Sequence, residues 1–143
     1  MYIKPKIIAE IGCNHKGDME IAFELIDLAK ECGADVAKFQ KRNSKELLTE
    51  EQYNSPHPNP YNSYGETYGE HREFLEFNLE QNMKLMEYSS KVGIQYSTSV
   101  WDVTSAKEIT SINPKIIKVP SACNNHFDML QILRDSYGGE VHI

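Results

Sequence analysis

The feature that most constrains the fold is a regular alternation of short apolar runs with helical patterns. Such alternation predicts parallel strands joined by crossover helices, and therefore an α/β fold. Two architectures satisfy the pattern, an open doubly wound sheet and part of a (β/α)8 barrel. The runs that read as strands are KIIAEI (6–11), DVAKFQ (35–40), GIQYSTS (93–99), KIIKV (115–119) and EVHI (140–143).

Capping residues and chain breakers mark where the intervening helices begin and end. The predicted N-caps are Asp18, Asn78, Asp102 and Asn125 or a neighbour. The predicted ends are Gly33, Gly93, Asn113-Pro114 and Gly138-Gly139. Residues 43–69 are rich in Pro, Asn, Ser, Gly and Tyr and predict one long loop, either functional or a flexible surface excursion.

Composition excludes several classes of protein. The formal net charge of −6 argues against a broad nucleic-acid or anionic-membrane surface. No apolar run approaches the ~20 residues of a membrane-spanning helix, and the N-terminus lacks the long apolar core of a signal peptide. Three well-separated cysteines without a CxxC pair argue against a disulfide framework, so we expect a reducing, cytoplasmic location.

The chain stops at Ile143, within the fifth predicted strand and without a closing helix. A complete barrel is typically ~250 residues long. We therefore expect residues 1–143 to form about the first five strands of a (β/α)8 barrel, incomplete at the C-terminus.

Two lysines, Lys38 and Lys118, lie inside runs that read as buried strands. An unpaired ammonium in a dry interior costs several kcal/mol. Ligands of parallel α/β folds bind at the carboxyl ends of strands, and Lys38 shares a strand face with Gln40. The pattern predicts a pocket for a phosphate or carboxylate. The alternatives are solvated rim lysines, or a structural ion pair between one lysine and Glu10.

Further polar residues follow the same predicted strands. They are Asn14 and His15 after the first, Ser97, Thr98 and Ser99 in the third, and Ser121 after the fourth. The serines and threonine could equally be ordinary caps. The five histidines show no metal-ligand spacing.

Four ordered segments carry a family likeness. They are IIAEIGCNHKGDMEIAFELIDLAKECGADVAKFQ, YSTSVWD, IIKVPSACNNHFDML and, within the first, the GAD-x-x-KFQ stretch. Together they resemble the sialic acid synthase family over essentially the whole chain. The resemblance implies condensation of phosphoenolpyruvate with N-acetylmannosamine or a related amino sugar in a (β/α)8 barrel. It also implies a divalent metal, manganese or magnesium, and a homodimer in which the partner's C-terminal antifreeze-like domain closes the site.

Residue by residue, the resemblance implies that Lys38, Thr98, Lys118 and Ser121 hold the phosphate and carboxylate of phosphoenolpyruvate. Glu10 and Gln40 match polar positions near the sugar and the metal, and Glu10 is our candidate for proton handling. Asn14, in the loop after the first strand, is a further candidate for substrate binding. The family's metal ligands and antifreeze-like domain fall beyond Ile143, so we assign no metal ligand and expect this stretch alone to be inactive.

The sequence leaves two rival functions open. One is a class I aldolase-type barrel, in which Lys38 or Lys118 forms a Schiff base with pyruvate. The other is a truncated phosphate-binding or interaction module without catalysis. Within the main interpretation, Pro120 and Ala122 stand where many family members carry glycine, so the sequence does not choose the amino sugar.

Overall fold

A computed structural model describes residues 4–143 and contains one five-stranded parallel sheet. Its strands follow one another in chain order, each hydrogen-bonded only to its sequence neighbours: β1 (Ile8–Gly12), β2 (Val36–Lys41), β3 (Gln95–Val100), β4 (Ile116–Lys118) and β5 (Glu140–His142). A doubly wound sheet would reverse its strand order at a switch point. The unbroken order is that of a (β/α)8 barrel, and it confirms the predicted fold class of about five barrel strands.

Four longer helices connect the strands: α1 (Met19–Glu31), α5 (Leu79–Val92), α6 (Val103–Ile112) and α7 (Phe127–Ser136). Their starts follow the predicted caps. The Asp18 side chain accepts from the Glu20 and Ile21 amides, and Asn78 forms a capping box with Gln81. For α7, the N-cap is His126, next to the predicted Asn125.

The prediction of one long loop over residues 43–69 is wrong. This segment contains α2 (Ser44–Leu47), α3 (Glu50–Asn54), a 3-10 turn (Pro60–Asn62) and the start of α4 (Tyr68–Phe74). The helices are too short for a hydrophobic repeat to show in the sequence. Two capping boxes, Thr49 with Gln52 and Thr67 with Glu70, were the readable signal that we missed.

The two faces of the sheet differ in chemistry. The helices cover one face, where two clusters of buried side chains are built around residues such as Phe39, Leu85, Ile109 and Ile117. The other face carries polar side chains from every strand. Alternation along each strand produces this division, because successive residues point to opposite faces. None of the helices within residues 4–143 combines the length and the hydrophobicity of a membrane span.

Candidate active site

The polar face of the sheet is organised by strand register. Glu10, Lys38 and Ser97 are aligned partners across β1, β2 and β3. Gln40, Ser99 and Lys118 form a second aligned row across β2, β3 and β4. Because aligned residues of parallel strands share a face, both lysines project from the same side of the sheet. The second row lies two residues closer to the carboxyl ends, where ligands of this fold class bind.

Lys38 has an anionic partner within the chain. Its ammonium donates to the Glu10 carboxylate, and the two residues are also aligned in the sheet. The Lys38 side chain is only 6% exposed, whereas that of Glu10 is 61% exposed. The pair therefore explains how Lys38 tolerates burial, and the structural ion pair that the sequence left open is present.

Lys118 is in a different situation. It is half-buried, and its ammonium lies 3.5 Å from the carbonyl oxygen of Val119. Within residues 4–143, no carboxylate forms an ion pair with it. An anionic ligand group beside Lys118 would form an ion pair with a partly desolvated ammonium that has no other carboxylate partner in the described residues.

A bulge at the end of β1 makes room beside Gln40. Register shifts between Glu10 and Gly12, and Gly12 has a φ of +59°, which favours glycine. A Cβ at Gly12 would lie 3.3 Å from Gln40 Nε2. The glycine therefore leaves the Gln40 amide accessible on the polar face.

Thr98 does not join this group. It aligns with Phe39 and Ile117, both of which belong to the core beneath the helices, and it is completely buried. Its side chain therefore points to the face opposite the two lysines. The sequence likeness treats Ser97, Thr98 and Ser99 as one polar segment, but strand alternation separates Thr98 from the two serines.

The remaining predicted residues lie in loops beyond the strand ends. The Asn14 amide donates to Ile11 O at 2.8 Å and so folds back on its own loop. Ser121 is exposed at the start of a 3-10 turn (Ser121–Cys123) after β4. Neither residue contacts a lysine of the polar face in the described contacts.

His15 has a structural role in the loop after β1. It is 2% exposed, its ring stacks on Phe77 at 4.0 Å between centroids, and its Nδ1 accepts from the Gly17 amide at 3.1 Å. Burial, assisted by the charge of Arg42, lowers the pKa of His15 to about 4. The imidazole is therefore neutral at physiological pH and is held away from the polar face.

Arg42 is a residue that the sequence analysis missed. It follows β2 directly and is 7% exposed, and it contacts Glu76, Cys13 and Trp101. The signal in the sequence is the pair of basic residues Lys41 and Arg42, immediately after the predicted buried strand DVAKFQ (35–40). Charges at a strand end usually lie in solvent, so this pattern alone does not indicate a buried arginine.

The described residues do not by themselves form a metal site. Within residues 4–143, no group of three or more His, Cys, Asp or Glu side chains is arranged to hold a metal ion. The Glu10 carboxylate is paired with Lys38, and the ring of His142 contacts Glu140 at 2.6 Å. A divalent metal therefore stays a prediction from the resemblance.

Several curated proteins are similar in sequence to this chain. The chain is 40% identical to the human N-acetylneuraminate-9-phosphate synthase over 125 residues, which is 87% of this chain and 34% of the human protein. It is 30% identical to the N,N'-diacetyllegionaminic acid synthase of Campylobacter jejuni over 118 residues, or 82% of this chain and 35% of that protein. The chain thus spans about a third of the curated relatives it matches.

A solved structure has the same arrangement of elements. The N-acetylneuraminic acid synthetase of Leptospira borgpetersenii, crystallised with citrate, superposes with a TM-score of 0.73 at 29% identity. The match covers 93% of this chain and 42% of that one. The NeuB family model matches residues 25–143, which include four of the five strands. The protein described here belongs to the NeuB family.

Proposed function

We propose that this chain supplies the phosphoenolpyruvate-binding part of a synthase that makes a nonulosonic (sialic) acid from an amino sugar. The observation that carries the proposal is the half-buried Lys118, on the same face as Lys38 and without an ion-pair partner within residues 4–143. Family membership supports nonulosonic acid synthesis in general. The particular amino sugar, a divalent metal and a homodimer are expectations from the resemblance alone.

In the proposed reaction, C3 of phosphoenolpyruvate forms a bond to the aldehyde carbon of the sugar, whose oxygen gains a proton. Water then adds at C2, the bond between C2 and the phosphate oxygen breaks, and a 2-keto acid and phosphate are released. The contribution of this chain is to orient the substrate and offset its charge. At 4 Å and an effective dielectric of ~20, each contact between opposite charges is worth roughly 4 kcal/mol before desolvation.

The two lysines have unequal roles in this scheme. Lys38 is neutralised in part by Glu10, so it would contribute a directed donor more than a free charge. Lys118 would supply the uncompensated charge for the phosphate or the carboxylate. The amide of Gln40 and the hydroxyl of Ser99 lie in the same aligned row as Lys118 and would donate to the remaining oxygens.

Glu10 is our candidate for moving a proton or holding the attacking water. Its carboxylate is mostly exposed on the polar face while it contacts the Lys38 ammonium. Glutamine keeps an oxygen that can accept from the Lys38 ammonium, so we expect Glu10→Gln to leave phosphoenolpyruvate binding largely intact. It should reduce turnover at least tenfold, because the amide cannot take up or release the proton. Unchanged turnover would remove Glu10 from the mechanism.

The test uses a full-length protein that contains this chain. It measures phosphate release in the presence of phosphoenolpyruvate, manganese and a panel of amino sugars. Lys118→Ala should raise the KM for phosphoenolpyruvate with little effect on the KM for the sugar. Lys107→Ala, which removes an exposed lysine of α6, is the matched control. A change confined to the KM of the sugar, or no activity with any sugar, would refute the proposal.

Borohydride trapping separates this function from the Schiff-base alternative. An aldolase-type enzyme reduced in the presence of pyruvate would retain a covalent adduct on Lys38 or Lys118, which mass spectrometry of the digested protein would locate. The proposed synthase should give no adduct, since its lysines act as cations rather than nucleophiles.

A further inference from the structure

Arg42 connects three consecutive strand ends beside the polar face. It immediately follows β2, which carries Lys38 and Gln40. Its Nη2 lies 2.7 Å from Cys13 Sγ in the loop after β1. Its guanidinium also lies over the ring of Trp101, which directly follows β3, at 5.9 Å from the ring centroid.

Arg42 also joins the two ends of the segment between β2 and α5, because it bonds to Glu76 near the start of α5. Arg42 Nε donates to Glu76 Oε1 at 2.5 Å, and the Arg42 backbone amide donates to Glu76 Oε2 at 2.9 Å. Both side chains are about nine-tenths buried, at 7% and 10% exposure. The guanidinium has donors fixed in a plane, so it can engage Glu76 and Cys13 at the same time.

The loop after β1 is packed against the other end of this connection. His15 stacks on Phe77, the neighbour of Glu76. Gly17 approaches the carbonyl of Phe74 so closely that a Cβ on it would lie 2.5 Å from that oxygen. Two contacts, Arg42 on Cys13 and Phe77 on His15, therefore fix the loop that follows Glu10.

We propose that Arg42 is a positioning residue, which holds the loop after β1 and thereby keeps Glu10 aligned with Lys38. It does not touch the proposed substrate, since its contacts are with Cys13, Glu76 and Trp101. The link to substrate binding rests on the proposed function. The proposal assigns a purpose to a buried arginine–carboxylate pair that packing alone would not require.

The test uses Arg42→Lys, Cys13→Ala and, as a control, Lys45→Ala. A lysine can still pair with Glu76 but lacks the second donor that reaches Cys13. Cys13→Ala removes the acceptor and leaves the buried ion pair intact. Lys45 forms a pair with Glu73 in the same segment, at 3.6 Å, but this pair is exposed, so its loss should change nothing.

Two measurements are made on each variant. Hydrogen exchange of the Asn14 and Lys16 amides, which bond to Ile11 O and Cys13 O at 3.1 Å, reports on order in the loop. We expect exchange at least tenfold faster in Arg42→Lys and Cys13→Ala, and unchanged in Lys45→Ala. Phosphoenolpyruvate titration should give a Kd at least threefold higher in the first two variants, with an unchanged Tm for Cys13→Ala.

Exchange rates that stay at the unsubstituted level in both variants would overturn the proposal. So would faster exchange with an unaltered Kd, because the loop would then be ordered by Arg42 without consequence for binding. If the unsubstituted protein binds no phosphoenolpyruvate, the proposed function fails, and the link from Arg42 to binding fails with it. The exchange rates would still decide whether Arg42 holds the loop.

Discussion

Lys38 and Lys118 project from the same face of the sheet, although β3 separates their strands. Strand spacing and rise place their Cα atoms roughly 12 Å apart, two strands across and two residues along. A small dianion can contact both ammonium groups over this distance because lysine side chains are long. Of the two, only Lys38 has a carboxylate partner in the described part of the chain. The two ammonium groups therefore differ in how much their burial lowers the free energy of unfolding.

We therefore expect Lys118→Met to increase stability while it reduces function. Replacing a half-buried, unpaired ammonium with an apolar side chain of similar length should raise the free energy of unfolding by about 1 kcal/mol. The Kd for phosphoenolpyruvate should rise at least tenfold. Urea denaturation and ligand titration measure the two effects, with Lys115→Met, at an exposed lysine just before β4, as control. A stability loss together with unchanged binding would contradict the assignment.

Thr98 and Ser99 offer a test of the division between the two sheet faces. Thr98 is completely buried, and the neighbouring Tyr96 hydroxyl already donates to Asn82 Oδ1 at 2.7 Å, so Thr98→Val should change the free energy of unfolding by less than about 1 kcal/mol. Phosphoenolpyruvate affinity should not change. Ser99→Ala removes a hydroxyl from the polar face and should weaken binding severalfold. The reverse result, with binding lost in Thr98→Val alone, would return Thr98 to the site.

Gly17 and Gly33 form a matched pair, since their φ values are +76° and +81°. An alanine at Gly33 would meet no atom within 4 Å and suffers only backbone strain, which costs about 1 kcal/mol. At Gly17 the new Cβ would also collide with the Phe74 carbonyl. We expect Gly17→Ala to cost about 3 kcal/mol or more. Thermal unfolding of both variants measures the difference, and equal losses would show that the collision is relieved by local movement.

His15 makes stability depend on pH. Its pKa of about 4 in the folded protein lies below the ordinary value of 6.5, so the unfolded chain binds the proton first as pH falls. The contribution is complete above pH 6.5 and is lost progressively down to about pH 4, amounting to roughly 3 kcal/mol. Urea denaturation at several pH values should show this slope, and His15→Gln should flatten it. A slope that survives the substitution would assign the titration to other groups.

The elements that the sequence predicted well are those with repeating signals. The apolar runs of β1 to β5 and the caps Asp18, Asn78 and Asp102 each depend on local chemistry that neighbouring residues reveal. The short helices between Arg42 and Glu76 lack such a repeat. Their positions depend instead on capping boxes and on contacts with distant parts of the chain.

The sequence predicted part of the candidate site, namely the part that depends on spacing within one strand. That Lys38 and Gln40 share a face follows from a spacing of two within one strand. The alignment of Glu10 with Lys38 depends on register between strands. The position of Thr98 on the face opposite both lysines depends on register as well. The sequence does not encode register locally, because it is set by packing of whole faces and by the bulge at Gly12. Arg42 was overlooked because its partners, Cys13 and Glu76, lie 29 and 34 residues away.

The strict order of the strands has a consequence for how the chain folds while it is being synthesised. Each new strand pairs with the strand completed just before it, so none of the pairings among β1 to β5 has to wait for a more distant segment. Domains fold from the N-terminus as the ribosome releases them, and pairing between sequence neighbours keeps the entropy of loop closure small. This sheet can therefore assemble during translation, one strand at a time, with Lys38 and Glu10 brought together before the strand that carries Lys118 has been synthesised.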